Sequence, residues 1–400
     1  MDDADKLYRR ALEIDAANVD AHYLLGALLG KRGHLQEAAA HLQRAVAAKP
    51  DFADAHAALA NVYWLQENRQ AAAVGYQEAI RLDPRNAPAH SNLGLIFRSL
   101  GKHEAALQHF LRTHELAPDF PGTLKNLILE WVELEQFEHA LSRLHQLLGE
   151  RPDDYEVLTC LGFVLQKMHR PDEALGYYQR ARRQNDADAE LLNNLGIVFQ
   201  DLGQLDAAID CYNRAIGLKP DFELALWHRS LAFLLQHDFA CGWPDYDLRL
   251  LSIDQPRRAA AYPRWDGSDL SARRILVYAE QGLGDEIMFS SCLPQIIAAS
   301  RHCVVECSPK LEGLFRRSFP AATVYATTPA RDFPQVVRDA KVELQIAMGS
   351  LPQYLRRSYA DFPQHGGYLR ADPQRVQLWR ERLAAFGPAS RSAFHGRAGR

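Results

Sequence analysis

The sequence has no excess of basic residues. Its 400 residues include 46 Lys and Arg against 50 Asp and Glu, which gives a formal net charge of −4. Such a chain offers no basic surface of the kind that attracts the phosphate backbone of a nucleic acid or an anionic membrane. We therefore expect no nucleic-acid partner.

Long apolar runs are also missing. No run approaches the 18 or so apolar residues that a membrane-spanning helix needs. The first residues, Met1-Asp2-Asp3-Ala4-Asp5, lack the basic-then-apolar order of a secretory signal. We predict no membrane span and a cytoplasmic location.

Cysteine is sparse and scattered. Its six positions show no disulfide framework, so each is predicted to be a small core residue in a reducing compartment. Cys303 and Cys307 form the only close pair, and no second Cys or His pair follows to complete a zinc site. Packing is the favoured interpretation of both, and we predict neither a metal nor a cofactor.

What the sequence does contain is a repeat. The chain is 47% hydrophobic, which is enough for a folded protein. Five prolines, at positions 50, 84, 118, 152 and 220, are separated one from the next by 34 residues or by twice that number. A 34-residue period predicts tandem helical hairpins, with repeats at 19–52, 53–86, 87–120, 121–154, 155–188 and 189–222. Residues 1–18 are interpreted as the tail of an earlier unit and 223–252 as a degenerate capping hairpin.

Each repeat carries small residues at fixed places. A Leu-Gly pair recurs in the first helix of several repeats, and an alanine recurs in the second helix of all six, at positions 38, 72, 106, 140, 174 and 208. Small residues let two antiparallel helices approach closely, and the aromatic residues four positions later fill the remaining space: Tyr76, Phe110, Tyr178 and Tyr212. One hairpin cannot bury its apolar face alone, so we predict that the hairpins stack.

This stretch resembles the tetratricopeptide repeat (TPR) family. Asn92, Asn126 and Asn194 share one position of the repeat, and they resemble the asparagines of protein O-linked N-acetylglucosamine transferases. In those enzymes such asparagines bind the backbone of an extended peptide, and an amide suits that task because it both donates and accepts hydrogen bonds. Leu24, Ala58 and Cys160 interrupt the series here. Two interpretations stay open, a peptide-binding groove or merely solvated helix residues.

Three histidines also recur every 34 residues, at positions 22, 56 and 90. Successive repeats are separated by roughly 8–10 Å per helix contact, which is too far for one metal ion to join them. We predict a structural role.

After Asp254 the composition changes. Residues 254–272 contain Pro256, Pro263 and Gly267 without regular periodicity, which predicts a connector. Buried-strand patterns then alternate with helical ones, and this order predicts an α/β sheet of the doubly wound type. The predicted strands are 274–279, 303–307, 323–325 and 342–346, and the predicted helices are 286–299, 309–317 and 352–357.

The first predicted strand leads into a glycine turn, Gly282-Leu283-Gly284. The third glycine of a dinucleotide fingerprint would fall at position 287, where Ile287 stands, so a nicotinamide or flavin site is disfavoured. Asp285 follows the turn. It is either a helix N-cap or a general base facing a sugar hydroxyl.

The enzymatic interpretation comes from a second resemblance. The segment Glu280-Gln281-Gly282-Leu283-Gly284-Asp285 is similar to the start of bacterial heptosyltransferase-like glycosyltransferases, as are Trp265-Asp266-Gly267, Ser350-Leu351-Pro352, residues 368–372 and Trp379. The resemblance covers about residues 260–386 and implies the Rossmann-like acceptor half of a GT-B fold. It also implies an inverting, metal-independent transfer with Asp285 as the base, and Glu280, Gln281, Gly282 and Gly284 as an acceptor loop. Pro294 falls about one helical turn later than in true heptosyltransferases.

The expected organisation is thus a TPR α-solenoid over 1–252, a linker over 253–272, an α/β Rossmann-like half-domain over 273–386 and a disordered tail over 387–400. No nucleotide-binding half is visible after Phe386, so we expect no sugar transfer by this chain alone. The favoured function is a scaffold that binds a protein or an extended peptide and carries a glycosyltransferase-like domain. The alternative is a component or fragment of a glycosyltransferase that uses a nucleotide-sugar donor and a sugar acceptor.

Overall fold

The computed structural model describes residues 3–250, 262–327, 335–364 and 367–384. The predicted tail, 387–400, and the first part of the predicted linker, 253–261, lie outside the described residues. The chain forms two compact units, Met1–Asp186 and Ala187–Arg400. No helix among the described residues is both long enough and apolar enough to cross a membrane.

The first unit is helical throughout its described residues. A single helix precedes five helical pairs, and each pair fills one of the predicted repeats between residues 19 and 188. The helices are α1 (Asp3–Ile14), α2 (Val19–Lys31), α3 (Leu35–Ala48), α4 (Ala53–Leu65), α5 (Arg69–Leu82), α6 (Ala87–Ser99), α7 (His103–Leu116), α8 (Thr123–Glu133), α9 (Phe137–Glu150), α10 (Tyr155–Lys167) and α11 (Pro171–Gln184). The 34-residue period therefore predicted the helical pairs of this unit correctly.

Polar caps start several of these helices. The side chains of Asn18, Asn86 and Asp154 each accept a hydrogen bond from the backbone N–H three residues later, at 2.9–3.1 Å. Such a bond satisfies one of the N–H groups that a helix leaves unpaired at its start. These capping hydrogen bonds help to fix where the helices begin, in addition to the packing of the apolar core.

The glycine of each Leu-Gly pair explains how the two helices of a hairpin meet. A Cβ atom on Gly94 would lie 2.7 Å from the Phe110 ring, and one on Gly162 would lie 2.5 Å from the Tyr178 ring. Both rings are fully buried. The aromatic residue of the second helix therefore packs directly on the glycine of the first, in the same hairpin.

The second unit starts with four more helices, α12 (Ala189–Asp201), α13 (Leu205–Leu218), α14 (Glu223–Leu235) and α15 (Phe239–Tyr246), followed by a 3-10 turn, Asp247–Leu250. The hairpin of α14 and α15 was predicted to be degenerate, and it is nevertheless closely packed. A Cβ on Gly242 would lie 2.6 Å from Leu234. Glycine has moved from the first helix to the second, which keeps one small residue at the helix contact.

A four-stranded parallel sheet follows, with strand order β3-β2-β1-β4. Its elements are β1 (Arg274–Tyr278), α16 (Leu283–Phe289), α17 (Leu293–Ala299), β2 (His302–Cys307), α18 (Glu312–Ser318), β3 (Thr323–Ala326), α19 (Gln335–Asp339), β4 (Leu344–Ala347), α20 (Pro352–Leu355) and α21 (Pro373–Ala384). The four strands lie where the apolar runs predicted them, within two residues at each end.

One helix prediction was wrong. The predicted helix 286–299 is two helices, α16 and α17, separated by a 3-10 turn at Ser290–Cys292. Pro294 occupies the first turn of α17. A proline fits there because the first N–H groups of a helix have no partner within the helix, whereas inside one long helix it would break a hydrogen bond.

The sheet core extends into the helical hairpin before it. Tyr246 is buried in the same apolar cluster as Val277, Phe289 and Ile346, and Trp243 packs against this cluster. The described end of the predicted linker, 262–272, is packed as well. Trp265 is buried, and its backbone N–H donates to the carbonyl of Gln345 on the outer edge of β4 at 2.9 Å. The predicted domain limits stay a prediction, but α15 and the sheet share one core.

Candidate functional site

The first candidate surface, within the first unit, carries the amides of Asn92 and Asn126 at the shared repeat position, and Asn92 is the better defined. Its Nδ2 donates to Asn61 Oδ1 at 3.0 Å and to the Tyr76 hydroxyl at 3.1 Å. Burial raises the pKa of Tyr76 to about 12, so its hydroxyl keeps the proton that it donates to Asn61. The Tyr76 hydroxyl and Asn61 Oδ1 are only 2.5 Å apart, so they share one N–H of Asn92, while Asn92 Oδ1 accepts no hydrogen bond from the described residues.

Asn126 has the opposite arrangement. Its Oδ1 accepts from Arg98 Nη1 at 3.0 Å, and its backbone carbonyl accepts from Arg98 Nη2 at 3.0 Å. Arg98 is held in turn by the fully buried Glu130, which also accepts from His103 Nδ1 at 2.9 Å. The two side-chain N–H groups of Asn126 donate to none of the described residues. Sequence analysis missed Arg98 and Glu130, because neither follows the 34-residue period.

Asn194, in the second unit, is half-buried and its side chain makes no hydrogen bond within the described residues. The equivalent position in the next repeat is His228, a residue that sequence analysis did not single out. Its Nδ1 bonds to Asn193 Oδ1 at 2.9 Å, and burial lowers its pKa to about 4. A polar side chain thus continues the register of Asn194 by one more repeat.

The second candidate site lies where the strand order of the sheet reverses, between β1 and β4. From β1 the chain winds outward to β2 and β3, and β4 returns to the other side of β1. The loop after β1 and the loop after β4 therefore meet at one edge. This place, outside the carboxyl ends of the strands at the reversal of strand order, is where open α/β sheets bind ligands.

Glu280 joins the two loops. Its carboxylate accepts from the backbone N–H groups of Met348 at 3.1 Å and Gly349 at 3.0 Å. It also accepts from Arg249 Nη2 at 2.7 Å, and Arg249 comes from the 3-10 turn after α15. Burial raises the pKa of Glu280, although the arginine and the two amides favour its ionised form.

Arg249 is the centre of a buried polar network at this edge. It is 8% exposed and contacts Asp247 at 2.8 Å and the Ser350 hydroxyl at 3.0 Å. Its guanidinium also lies 4.5 Å from the centre of the Tyr246 ring. The Tyr246 hydroxyl accepts from Gln281 Nε2 at 3.3 Å. Sequence analysis placed Glu280 and Gln281 in an acceptor loop and did not find Arg249, which lies across the predicted domain limit.

Asp285 does not cap its helix, so the N-cap interpretation was wrong. The cap position belongs to Gly282, and Asp285 is the third residue of α16, partly exposed. Gly282 and Gly284 are exposed; a Cβ on Gly284 would have no neighbour within 4 Å, and neither glycine has a positive φ. Packing among the described residues therefore does not require glycine here. The next acid, Glu286, is buried and accepts from the Ser308 N–H at 2.8 Å, which ties α16 to the end of β2.

The two close cysteines are core residues. Cys303 and Cys307 are buried in β2, and burial raises the pKa of each thiol to about 12. A thiol with such a pKa stays protonated and is a poor metal ligand. Within the described ranges, no three or more His, Cys, Asp or Glu side chains are grouped as a metal site would need.

Comparison with known proteins supports the helical assignment. Models described as tetratricopeptide or TPR repeats match residues 7–40, 29–67, 87–120 and 153–221. Protein FlbA of Caulobacter vibrioides is 30% identical over 184 residues, which are 43% of this chain and 31% of that protein. The match thus spans about a third of the relative's length.

Solved structures with a similar course of the chain include a tetratricopeptide repeat protein from Parabacteroides merdae, at 16% identity and a TM-score of 0.47, covering 57% of this chain and 91% of that one. Yeast Tom70 is 15% identical with a TM-score of 0.47, and the match covers 63% of this chain and 55% of that one. Over the residues that these models match, the helical part of the present chain thus contains tetratricopeptide repeats.

Proposed function

We propose that the TPR hairpins bind an extended segment of a partner polypeptide through the amides of Asn92 and Asn126. The observation that carries this proposal is that the two amides leave complementary hydrogen-bonding groups without a partner among the described residues. Asn92 has a spare acceptor and Asn126 has spare donors, so the first would accept from a peptide N–H and the second would donate to a peptide carbonyl. An extended chain presents both groups alternately, whatever its side chains.

The intramolecular bonds of these amides support the same proposal. Asn61, Tyr76 and Arg98 fix the two side chains, so little rotamer entropy is lost when a peptide binds. Solvated surface residues would have no such support. Asn194 is proposed to act in the same way in the second unit.

The test is a double variant, Asn92→Ala with Asn126→Ala, measured against 12-residue unstructured peptides selected on the wild-type chain. Each lost hydrogen bond is worth about 0.5–1.5 kcal/mol, so we expect the loss of two to raise the Kd about fivefold to a hundredfold. The matched control is Gln77→Ala, an exposed amide on the second helix of its hairpin. An unchanged Kd in a double variant that melts like the wild type would remove these residues from the binding surface.

A second candidate function concerns the sheet. We infer that the α/β part is the acceptor half of a heptosyltransferase-like GT-B enzyme, with Asp285 as the general base of sugar transfer. The supporting observation is the position of the loop 280–285 at the strand-order reversal, with two exposed glycines that leave the backbone open to a ligand. The carboxylate of Glu280 accepts hydrogen bonds from Arg249, Met348 and Gly349, so we propose that Glu280 positions the loop.

Binding of a panel of monosaccharides and short oligosaccharides, followed by saturation-transfer NMR, tests this second function. We expect Asp285→Asn to weaken sugar binding several-fold, because a carboxylate that accepts the proton of a sugar hydroxyl binds that hydroxyl more strongly than an amide does. Asp339→Asn, at an exposed acid in α19, is the matched control. Equal binding by both variants would argue against Asp285 as the base.

A further inference from the structure

Two pairs of histidines connect the helices of the first and third repeats. His22 Nδ1 lies 2.8 Å from His41 Nδ1, and His90 Nδ1 lies 3.0 Å from His109 Nδ1. The ring centres are 5.1 and 5.2 Å apart, and the ring planes are inclined by 39° in both pairs. The same geometry is therefore built twice, with 19 residues between partners and 68 between pairs.

The outer contacts of each pair fix which nitrogens carry protons. Nε2 of His22 lies 3.1 Å from the Ala16 carbonyl, and Nε2 of His90 lies 3.3 Å from the Pro84 carbonyl. A carbonyl can only accept, so in these two rings the N–H is at Nε2, and in the neutral ring Nδ1 is the acceptor. His41 and His109 must then donate from Nδ1. A proton added to His22 or His90 would place two N–H groups face to face and break the bond.

A proton on the other ring of a pair is opposed by its surroundings. Burial, then the neighbouring His90, lowers the pKa of His109 to about 4, and Phe97 stacks on its ring at 5.4 Å. Burial also lowers the pKa of His41 and of His90. Each pair therefore resists protonation in the closed hairpin.

The charged groups around the first pair leave this conclusion in place. His41 faces His22, its own helix's Glu37 and Arg44, and Arg9 of α1, with only Glu37 favouring the protonated ring. Arg9 is itself bonded to Glu37 and Asp5 at 2.8 Å each. On α4, Asp54 acts on Tyr23, and His56 bonds to the Pro50 carbonyl.

Around the second pair, burial lowers the pKa of His90, the hydrogen bond to the Pro84 carbonyl opposes this, and the positive charge of Arg112 on α7 lowers the pKa further. The neighbouring helices hold their charges in other contacts. On α5, Glu78 pairs with Arg81, and on α8, Glu130 pairs with Arg98 and His103. No carboxylate faces this pair within the described residues.

The second repeat supplies an internal comparison. His56 keeps the same outer contact, 2.9 Å from the Pro50 carbonyl, but Gly75 stands where the partner histidine would be. A Cβ on Gly75 would lie 2.8 Å from the Ala60 methyl group, so this repeat exchanges the histidine pair for a closer helix contact. His56 is half-buried, and its one hydrogen bond goes to the Pro50 carbonyl rather than to the second helix of its hairpin.

We propose that the His22–His41 and His90–His109 pairs are acid-sensitive locks that close the first and third hairpins near neutral pH and release them on acidification. This device concerns the fold itself and does not depend on the proposed peptide binding. The folded hairpins lower the pKa of His41, His90 and His109, so protonation of these rings favours the open form. The stabilisation is complete above the ordinary histidine pKa, about 6.5, and is lost as the pH falls toward the folded value.

For a group with a folded pKa of about 4, opening becomes about 20-fold more favourable between pH 7 and pH 5. Hydrogen exchange of the full chain, corrected for the intrinsic pH dependence, tests this. We expect protection of α6–α7 to fall by at least tenfold relative to α10–α11, and protection of α2–α3 to fall in the same direction. An equal change in all three hairpins would overturn the proposal.

The variant His41→Asn with His109→Asn sharpens the test, because asparagine can donate at the position of Nδ1 without titrating. We expect its two hairpins to lose their extra acid sensitivity, whereas His56→Gln behaves like the wild type. Where the double variant fails to fold, ¹⁵N NMR of the wild-type histidines decides. Ordinary titration of His41, His90 and His109 near pH 6.5, or Nδ1–H tautomers at His22 and His90, would contradict the locks.

Discussion

Single residues at the sheet edge show how closely the two loops depend on one glycine. A Cβ on Gly349 would lie 2.6 Å from Glu280 Oε1, 2.8 Å from Arg249 Nη2 and 3.0 Å from Gln281 Oε1. Gly349 therefore leaves room for the ion pair that joins the 3-10 turn 247–250 to both loops. The glycines of the loop after β1 have no such neighbours.

This contrast gives a prediction. Gly349→Ala should destabilise the chain by about 1–3 kcal/mol, because the added methyl group must displace a buried ion pair. Gly284→Ala, in the first turn of α16, should not destabilise the chain, since nothing lies within 4 Å of the new atom. Urea unfolding of both variants measures the difference. Equal stability of the two variants would mean that the Glu280–Arg249 ion pair can accommodate a methyl group at position 349.

The sequence predicted some of the site residues and missed others for a physical reason. Asn92, Asn126 and Asn194 follow the repeat, so the period finds them. The partners that decide their chemistry, Asn61 and Arg98, depend on which helix faces meet. The same holds for His41 and His109, whose pairing across the hairpin needs the helix contact rather than the 34-residue step.

Among the secondary-structure elements, the helical hairpin was the easiest to predict because its period, its caps and its small residues all agree. The strands were found because apolar runs bounded by turns identify buried strands. The break between α16 and α17 was missed, because a proline in a first turn and a proline that breaks a longer helix look alike in sequence. The helices α19 and α21 were not predicted either.

The glycine–aromatic contact inside the third, fifth and sixth hairpins gives a second prediction. Gly162→Ala should destabilise by about 1–3 kcal/mol, since the methyl group would overlap the buried Tyr178 ring at 2.5 Å. Gly176→Ala, in the second helix of the same hairpin, has no neighbour within 4 Å and should stabilise by about 0.5–1 kcal/mol through helix propensity. Thermal unfolding measures both. The same sign for the two variants would contradict this packing.

For the molecule as a whole, the repeats are established and several predictions remain. The cytoplasmic location, the absence of a nucleic-acid partner, the sugar acceptor and the domain limits at 252, 272 and 386 stay predictions. The packed contacts of α15 with the sheet could not be foreseen, because the arginine-rich and proline-rich segment that follows has the composition of a connector. Composition describes a segment, whereas Tyr246 and Arg249 act through residues far away in the chain.

The central claim is that the amides on α6 and α8 bind the backbone of a partner chain. Its most direct test is a comparison of amide hydrogen exchange in the full chain with and without a selected 12-residue peptide. We predict added protection in Ala87–Ser99 and Thr123–Glu133, where Asn92 and Asn126 lie. Protection confined to the second helices of the hairpins, with α6 and α8 unchanged, would contradict it.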